Sequence, residues 1–143
     1  MKNLRNIVVA VILAGIAVGG YAQEMTFGEL QSKGAVAIVK DDLAALLKGA
    51  TLNFTSFVTG RPVQVKFYDD GTLIVAITDR AGGRLSQNAT GKWSIVDNGY
   101  CSNIVFRGHE DKYCNKIWKL GEKYHITSDQ DGYNSARELS VSK

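Results

Sequence analysis

After Thr51 the apolar residues of this chain recur at every second position, and that alternation constrains the fold more than any other feature. Val63, Val65 and Phe67 alternate with Gln64 and Lys66; Leu52 and Phe54 open the pattern, and residues 73–77 extend it as an apolar run. A period of two places successive side chains on opposite faces of a strand, so one face can be buried while the other meets water. Turn signals separate the runs. Asp70-Gly71 and Asn98-Gly99 are dipeptides that accept the positive φ of a tight hairpin turn, and Gly121-Glu122 reads as a third turn. Asn98-Gly99 is expected to join strands over 93–96 and 100–106, and Gly121-Glu122 to join strands over 116–120 and 123–126. Residues 80–91, with three glycines, read as a looser connection. Seven strands follow from this reading, with residues 139–141 as an eighth.

Upstream of Thr51 the signals are helical. Thr26 and Glu29 have the spacing of a capping box, opening a short helix that ends by Gly34. A second helix is marked by Asp41 and Asp42 at its start, Leu43, Leu46 and Leu47 on one face, and Gly49 in the left-handed closing position. Residues 35–39 between them fit either strand or helix. The expected fold class is α+β, mainly β: one or two short N-terminal helices, then a seven- to eight-stranded antiparallel meander that forms a small barrel or a half-open sheet.

The first 22 residues have a different character. Lys2 and Arg5 form a positive head, an apolar run covers residues 7–20, and Gly20-Tyr21-Ala22 is a small-residue exit. This is the layout of a cleavable secretory signal. The run is shorter than the roughly 20 apolar residues that span a bilayer, so no membrane attachment is expected after cleavage. Residues 23–143 are then one secreted domain, helical over 26–49 and a β meander over 52–142, with a periplasmic or secreted location.

With Lys2 and Arg5 set aside, 15 basic residues face 14 acidic ones. No run of Lys and Arg remains to follow a phosphate backbone, which argues against nucleic acid as a partner. Cys101 and Cys114 are the only cysteines. In an exported protein such a pair reads as a disulfide, here pinning strands at the two ends of a connection through residues 107–112. A redox pair wants the spacing Cys-x-x-Cys, and a thiolate metal site wants further ligands nearby; neither is present.

Candidate sites are few. His109, Glu110 and Asp111 group an imidazole with two carboxylates, although adjacent side chains diverge, and the same trio suits a polar connecting loop. His125, between Tyr124 and Ile126 in a strand, is expected in solvent if its neighbours point inward. The segment 127–132 with Glu138 approaches a calcium loop: Asp129, Asp131, Gly132 and Glu138 fall on its third, fifth, sixth and twelfth positions, but Thr127 stands where an Asp is wanted. A charged β-turn is the reading preferred, with Asp129, Asp131 and Glu138 kept as metal candidates. No metal or cofactor is otherwise implied, and no Gly-x-Ser-x-Gly elbow or phosphate-cradling glycine loop occurs. Trp93, Trp118, Tyr100, Tyr113, Tyr124 and Phe106 either fill a barrel as its core or line a pocket; core is the preferred reading.

The leucine-rich helix ending at residues 46–51, Tyr68-Asp69-Asp70-Gly71, Gly91-Lys92-Trp93, the spaced Cys101 and Cys114, and Asp131-Gly132 together resemble a family of small exported proteobacterial proteins, the 995-type domain of unknown function. The resemblance covers about residues 40–132. It implies export and a small β domain, and brings no catalytic residue with it.

Two classes of function follow. A non-catalytic binding module would hold a small apolar ligand or an exported protein partner, a secreted enzyme inhibitor being one form of the latter. A carboxylate-based enzyme would instead need Glu110, Asp111, Asp129 and Asp131 to converge in one cleft, and a calcium-binding protein would use Asp129, Asp131 and Glu138.

Overall fold

A computed structural model describes residues 24–78 and 85–143; the leader expected over residues 1–22 lies outside them. Strand β1 (Met25–Thr26) runs into helix α1 (Phe27–Ser32). The capping box forms: Thr26 Oγ1 accepts from the Glu29 N–H at 3.2 Å, and Glu29 Oε2 accepts from the Thr26 N–H at 2.8 Å. Bonds from Thr26 favour the ionised carboxyl and hold the Glu29 pKa below its ordinary value. The ambiguous segment is a strand, β2 (Val36–Ile38), and α2 (Lys40–Leu47) follows it. Gly49, beyond the helix end, has φ 68° and closes it as expected.

The remaining chain is β3 (Thr51–Thr55), β4 (Pro62–Phe67), β5 (Thr72–Thr78), β6 (Leu85–Val96), β7 (Gly99–Phe106), β8 (His109–Leu120), β9 (Lys123–Ser128) and β10 (Ser135–Ser142). Each pairs antiparallel with the next, and β10 returns to β3 through Ser140 opposite Asn53 and Ser142 opposite Thr51. The meander therefore closes as an eight-stranded barrel, which removes the exposed edges a half-open sheet would leave.

Closure is incomplete at two corners, and the N-terminal strands fill them. β7 pairs with β8 only as far as Asn115; beyond it Ile38, Ala37 and Val36 of β2 take up Ile117, Trp118 and Lys119. On β10 the β3 pairing begins at Ser140, and β1 occupies Ser135 and Ala136. The segment between these strands, α1, is thereby laid against the outside of the barrel.

Register decides which residues face inward. Leu52, Val65, Val75, Ala89, Ile117, Ile126 and Leu139 are buried on the inner face, while α2 adds Leu43 and Leu47 to the same core. Helix α2 closes the end where β3 starts and β10 finishes; there Lys143 Nζ donates to the Ala45 carbonyl at 2.8 Å and the Lys48 carbonyl at 2.6 Å. A second, smaller core lies outside, where Leu30 of α1 is fully buried and Phe27 packs on Trp118 with ring centroids 5.3 Å apart. Trp118 Nε1 donates to Thr127 Oγ1 at 2.9 Å beneath it.

Four expectations need correction. The connection over 80–91 is largely strand, since β6 begins at Leu85 and pairs with β5 from there. Residues 109–112 belong to β8 and form no loop, because β7 and β8 meet in a two-residue turn, Arg107-Gly108, with φ 49° and 80°. The turn expected at Asn98-Gly99 sits one residue earlier: Val96 pairs with Gly99, leaving Asp97 and Asn98 at the tip. Gly99 is needed for another reason, as an added Cβ would stand closer than 3.0 Å to the Asn115 carbonyl oxygen. Finally, His125 does point away from the inward Ile126, but it is only 6% exposed, because the outer core covers that face.

Candidate functional site

The lower half of the barrel is filled. Phe67 makes edge-to-face contacts with Trp93 and Tyr100, both with centroids 5.4 Å apart, and this cluster forms a floor above α2. Trp93 is fixed there by donating Nε1–H to the Tyr68 carbonyl at 3.1 Å. Above the floor β4, β5 and the described part of β6 turn the short side chains Val63, Val75, Ile77 and Ala89 inward. They line one side of an open-mouthed cavity of about 340 Å³, at the small end of the range for ligand sites.

The two sides of this cavity differ chemically. β4, β5 and the described part of β6 present Val63, Val65, Val75, Ile77 and Ala89. β7, β8 and β9 present Tyr100, Ser102, Tyr113, Asn115 and Ser128 among Ile104 and Phe106. Ser102 Oγ donates to the Tyr113 carbonyl and Asn115 Nδ2 donates to the Tyr100 hydroxyl, each at 3.5 Å. Burial pushes the Tyr100 phenol far above its ordinary pKa, so it stays neutral. Tyr113 is also raised, by burial first and then by the charges of Asp111 and Tyr133.

The connection over 56–61 forms the rim. Ser56 Oγ accepts from the Val58 and Thr59 N–H groups at 3.2 Å each, and the Gly60 N–H donates to the Ser56 carbonyl at 3.0 Å. Phe57 leans from this turn onto Phe54 and Tyr133, at 6.5 and 5.9 Å, with the Arg137 guanidinium 5.5 Å from its ring centre. Arg137 is paired with Glu24. Arg61 and Asp111 are the charged side chains lining the cavity among the described residues.

The acids singled out in the sequence do not converge. Asp111 lines the lumen while its neighbour Glu110 lines a shallow depression of about 740 Å³ on the outer face, beside Thr72, Lys92 and Asn103. Asp129 is bound to Lys116 at 3.3 Å and Glu138 to Lys123 at 3.0 Å, so these two metal candidates are engaged by separate lysines. Asp131 sits in the turn between β9 and β10, outside either ion pair. Among the described residues no three His, Cys, Asp or Glu side chains stand close enough to hold a metal ion.

Aromatic residues divide between the two roles considered. Trp93 is core, Tyr100 packs in the core and also faces the cavity, Phe106 and Tyr113 line the cavity, and Trp118 is outside the barrel under α1. Ser102, Asn115 and Ser128 were not read as site residues from the sequence. Their signal is a polar residue at an inward position of an otherwise apolar alternation, as in Tyr100-x-Ser102-x-Ile104-x-Phe106.

Cys101 and Cys114 form a disulfide, as expected. No described helix is long and apolar enough to cross a membrane. Comparison with family models, curated proteins and solved structures finds no match to this chain.

Proposed function

We propose that this protein is an exported, non-catalytic binding module that carries or senses a small, predominantly apolar molecule in the barrel lumen. The observation that carries this reading is the unfilled upper half of a closed sheet: a cavity of about 340 Å³ with one aliphatic side and one side that mixes polar and aromatic groups, above a packed aromatic floor. Small eight-stranded barrels are just wide enough either to fill with side chains or to hold one small ligand, and short side chains at Val63, Val75 and Ala89 favour the second use. Export is supported by the leader-like residues 1–22 and by a disulfide, which persists in oxidising compartments. The separation of the carboxylates across the sheet counts against a paired-carboxylate mechanism, which needs two such groups within reach of one substrate.

The test is a titration with N-phenyl-1-naphthylamine, a neutral dye that fluoresces in apolar surroundings. Saturable, blue-shifted emission at one dye per protein is expected, with displacement by whatever mass co-purifies with protein isolated from its own host. Ala89→Phe, placing a ring in the lumen, should abolish the signal while leaving the melting curve cooperative. Equal dye binding by the native protein and Ala89→Phe would sink the proposal.

A further inference from the structure

We infer that Tyr100, Ser102 and Asn115 form a hydrogen-bonding wall inside the lumen that selects a neutral ligand bearing one hydroxyl- or amide-like group on an apolar body, over a wholly apolar or an anionic one. This deepens the lumen-binding reading and rests on it.

Three observations converge. The first is placement: all three residues are on β7 and β8 at inward register positions, and the facing strands β4 and β5 offer only Val63, Val65, Val75 and Ile77. A ligand seated here meets polar atoms on one side and hydrocarbon on the other.

The second is unspent hydrogen-bonding capacity. Tyr100 and Ser102 are buried, at 2% and 4% exposure, yet their only side-chain hydrogen bonds among the described residues are the two at 3.5 Å. Good N–H···O and O–H···O bonds fall at roughly 2.5–3.2 Å. Removing a buried polar group from water without a well-made bond is costly, so such groups normally have close partners. The amide of Asn115 and the two hydroxyls can both donate and accept. A single hydroxyl or amide on a ligand would supply what the protein does not.

The third is charge. Arg61 belongs to the rim turn, three residues of β8 lie between Asp111 and Asn115, and the Arg137 guanidinium against Phe57 is already paired with Glu24. An anion on the polar wall would be buried beside Tyr100 and Ser102 without a counter-charge of its own, which is unfavourable. The Tyr100 phenol, its pKa raised by burial, is a donor at neutral pH.

Calorimetry of the intact, oxidised protein with 4-propylphenol, propylbenzene and 4-propylbenzoate tests this selection. The phenol should bind about tenfold more tightly than propylbenzene, the gain of one or two well-made hydrogen bonds, and the benzoate more weakly than the phenol. Tyr100→Phe, which keeps the ring against Phe67, and Ser102→Ala should each narrow the phenol-to-hydrocarbon ratio without weakening propylbenzene. Should Tyr100→Phe not fold, Ser102→Ala decides. Propylbenzene binding as tightly as the phenol, a benzoate preference, or a ratio untouched by both substitutions would overturn the selective wall while leaving a binding lumen intact. Failure of all three probes to bind would overturn both readings together.

Discussion

Cys101 and Cys114 are directly opposite one another on β7 and β8, with Cα atoms 4.1 Å apart, so the disulfide lies across the outer face of the strand pair. Their sequence neighbours Tyr100, Ser102, Tyr113 and Asn115 consequently face the lumen. One covalent link on the outside thus fixes the backbone that presents the polar wall on the inside, a form of preorganisation.

Replacing both cysteines by serine should lower stability by about 2–3 kcal/mol, the loop-closure estimate for a cross-link of this span reduced because the Arg107-Gly108 turn already holds the hairpin. For a domain of this size that is a fall in Tm of roughly 8–12 °C. Scanning calorimetry of the oxidised protein and the double variant measures it. An unchanged melting temperature would show that the disulfide adds nothing to the fold.

Gly91 and Gly28 make a contrasting pair. A Cβ on Gly91 would come closer than 3.0 Å to the Asn103 carbonyl oxygen on β7, backbone that cannot move without disturbing the ladder, whereas a Cβ on Gly28 in α1 meets nothing within 4 Å. Gly91→Ala is expected to destabilise by at least about 2 kcal/mol, in the range of strain and overpacking effects. Gly28→Ala should be neutral or stabilising by up to about 1 kcal/mol through helix propensity. Urea denaturation of the two variants compares them, and equal effects would contradict the close approach of β6 and β7.

The alternation of Val63, Val65 and Phe67 was enough to read strands, and the capping box at Thr26 and Glu29 was enough to place α1, because both are local patterns with a fixed period or spacing. What is not local was missed. Asn98-Gly99 has the composition of a turn, yet Gly99 is required by the Asn115 carbonyl across the sheet, a neighbour 16 residues away. His125 reads as solvated from its own strand, yet it is buried on the outer face beside its cross-strand neighbour Trp118, which packs under Phe27 of α1. The cavity depends on the sizes of side chains that meet across a closed barrel, so the same apolar residues that announce a core cannot announce the space left among them.

Leu30 is the test of that outer core. It is fully buried between α1 and the outside of the sheet, separate from the lumen residues. Leu30→Ala should cost about 2–4 kcal/mol yet leave dye binding in the lumen unchanged under conditions where the variant is folded. A loss of binding that tracks no loss of structure would mean that α1 and the lumen are one unit.

His125 gives the same face a pH dependence. Burial lowers its pKa from the ordinary 6.5, outweighing the opposing pull of Glu138 across β10, while Lys123 and Lys33 lower it further; among the described residues Nδ1 has no hydrogen-bond partner. With the folded value below the unfolded one, the unfolded chain binds more protons once the pH drops below 6.5, so this residue's contribution is complete above that pH and is lost as the pH falls through the folded pKa. The native protein should therefore melt at progressively lower temperature between about pH 7 and pH 5, and His125→Gln, which cannot take up that proton, should show a shallower decline. Parallel pH profiles of Tm for the two proteins would show that His125 is already free to ionise in the folded state.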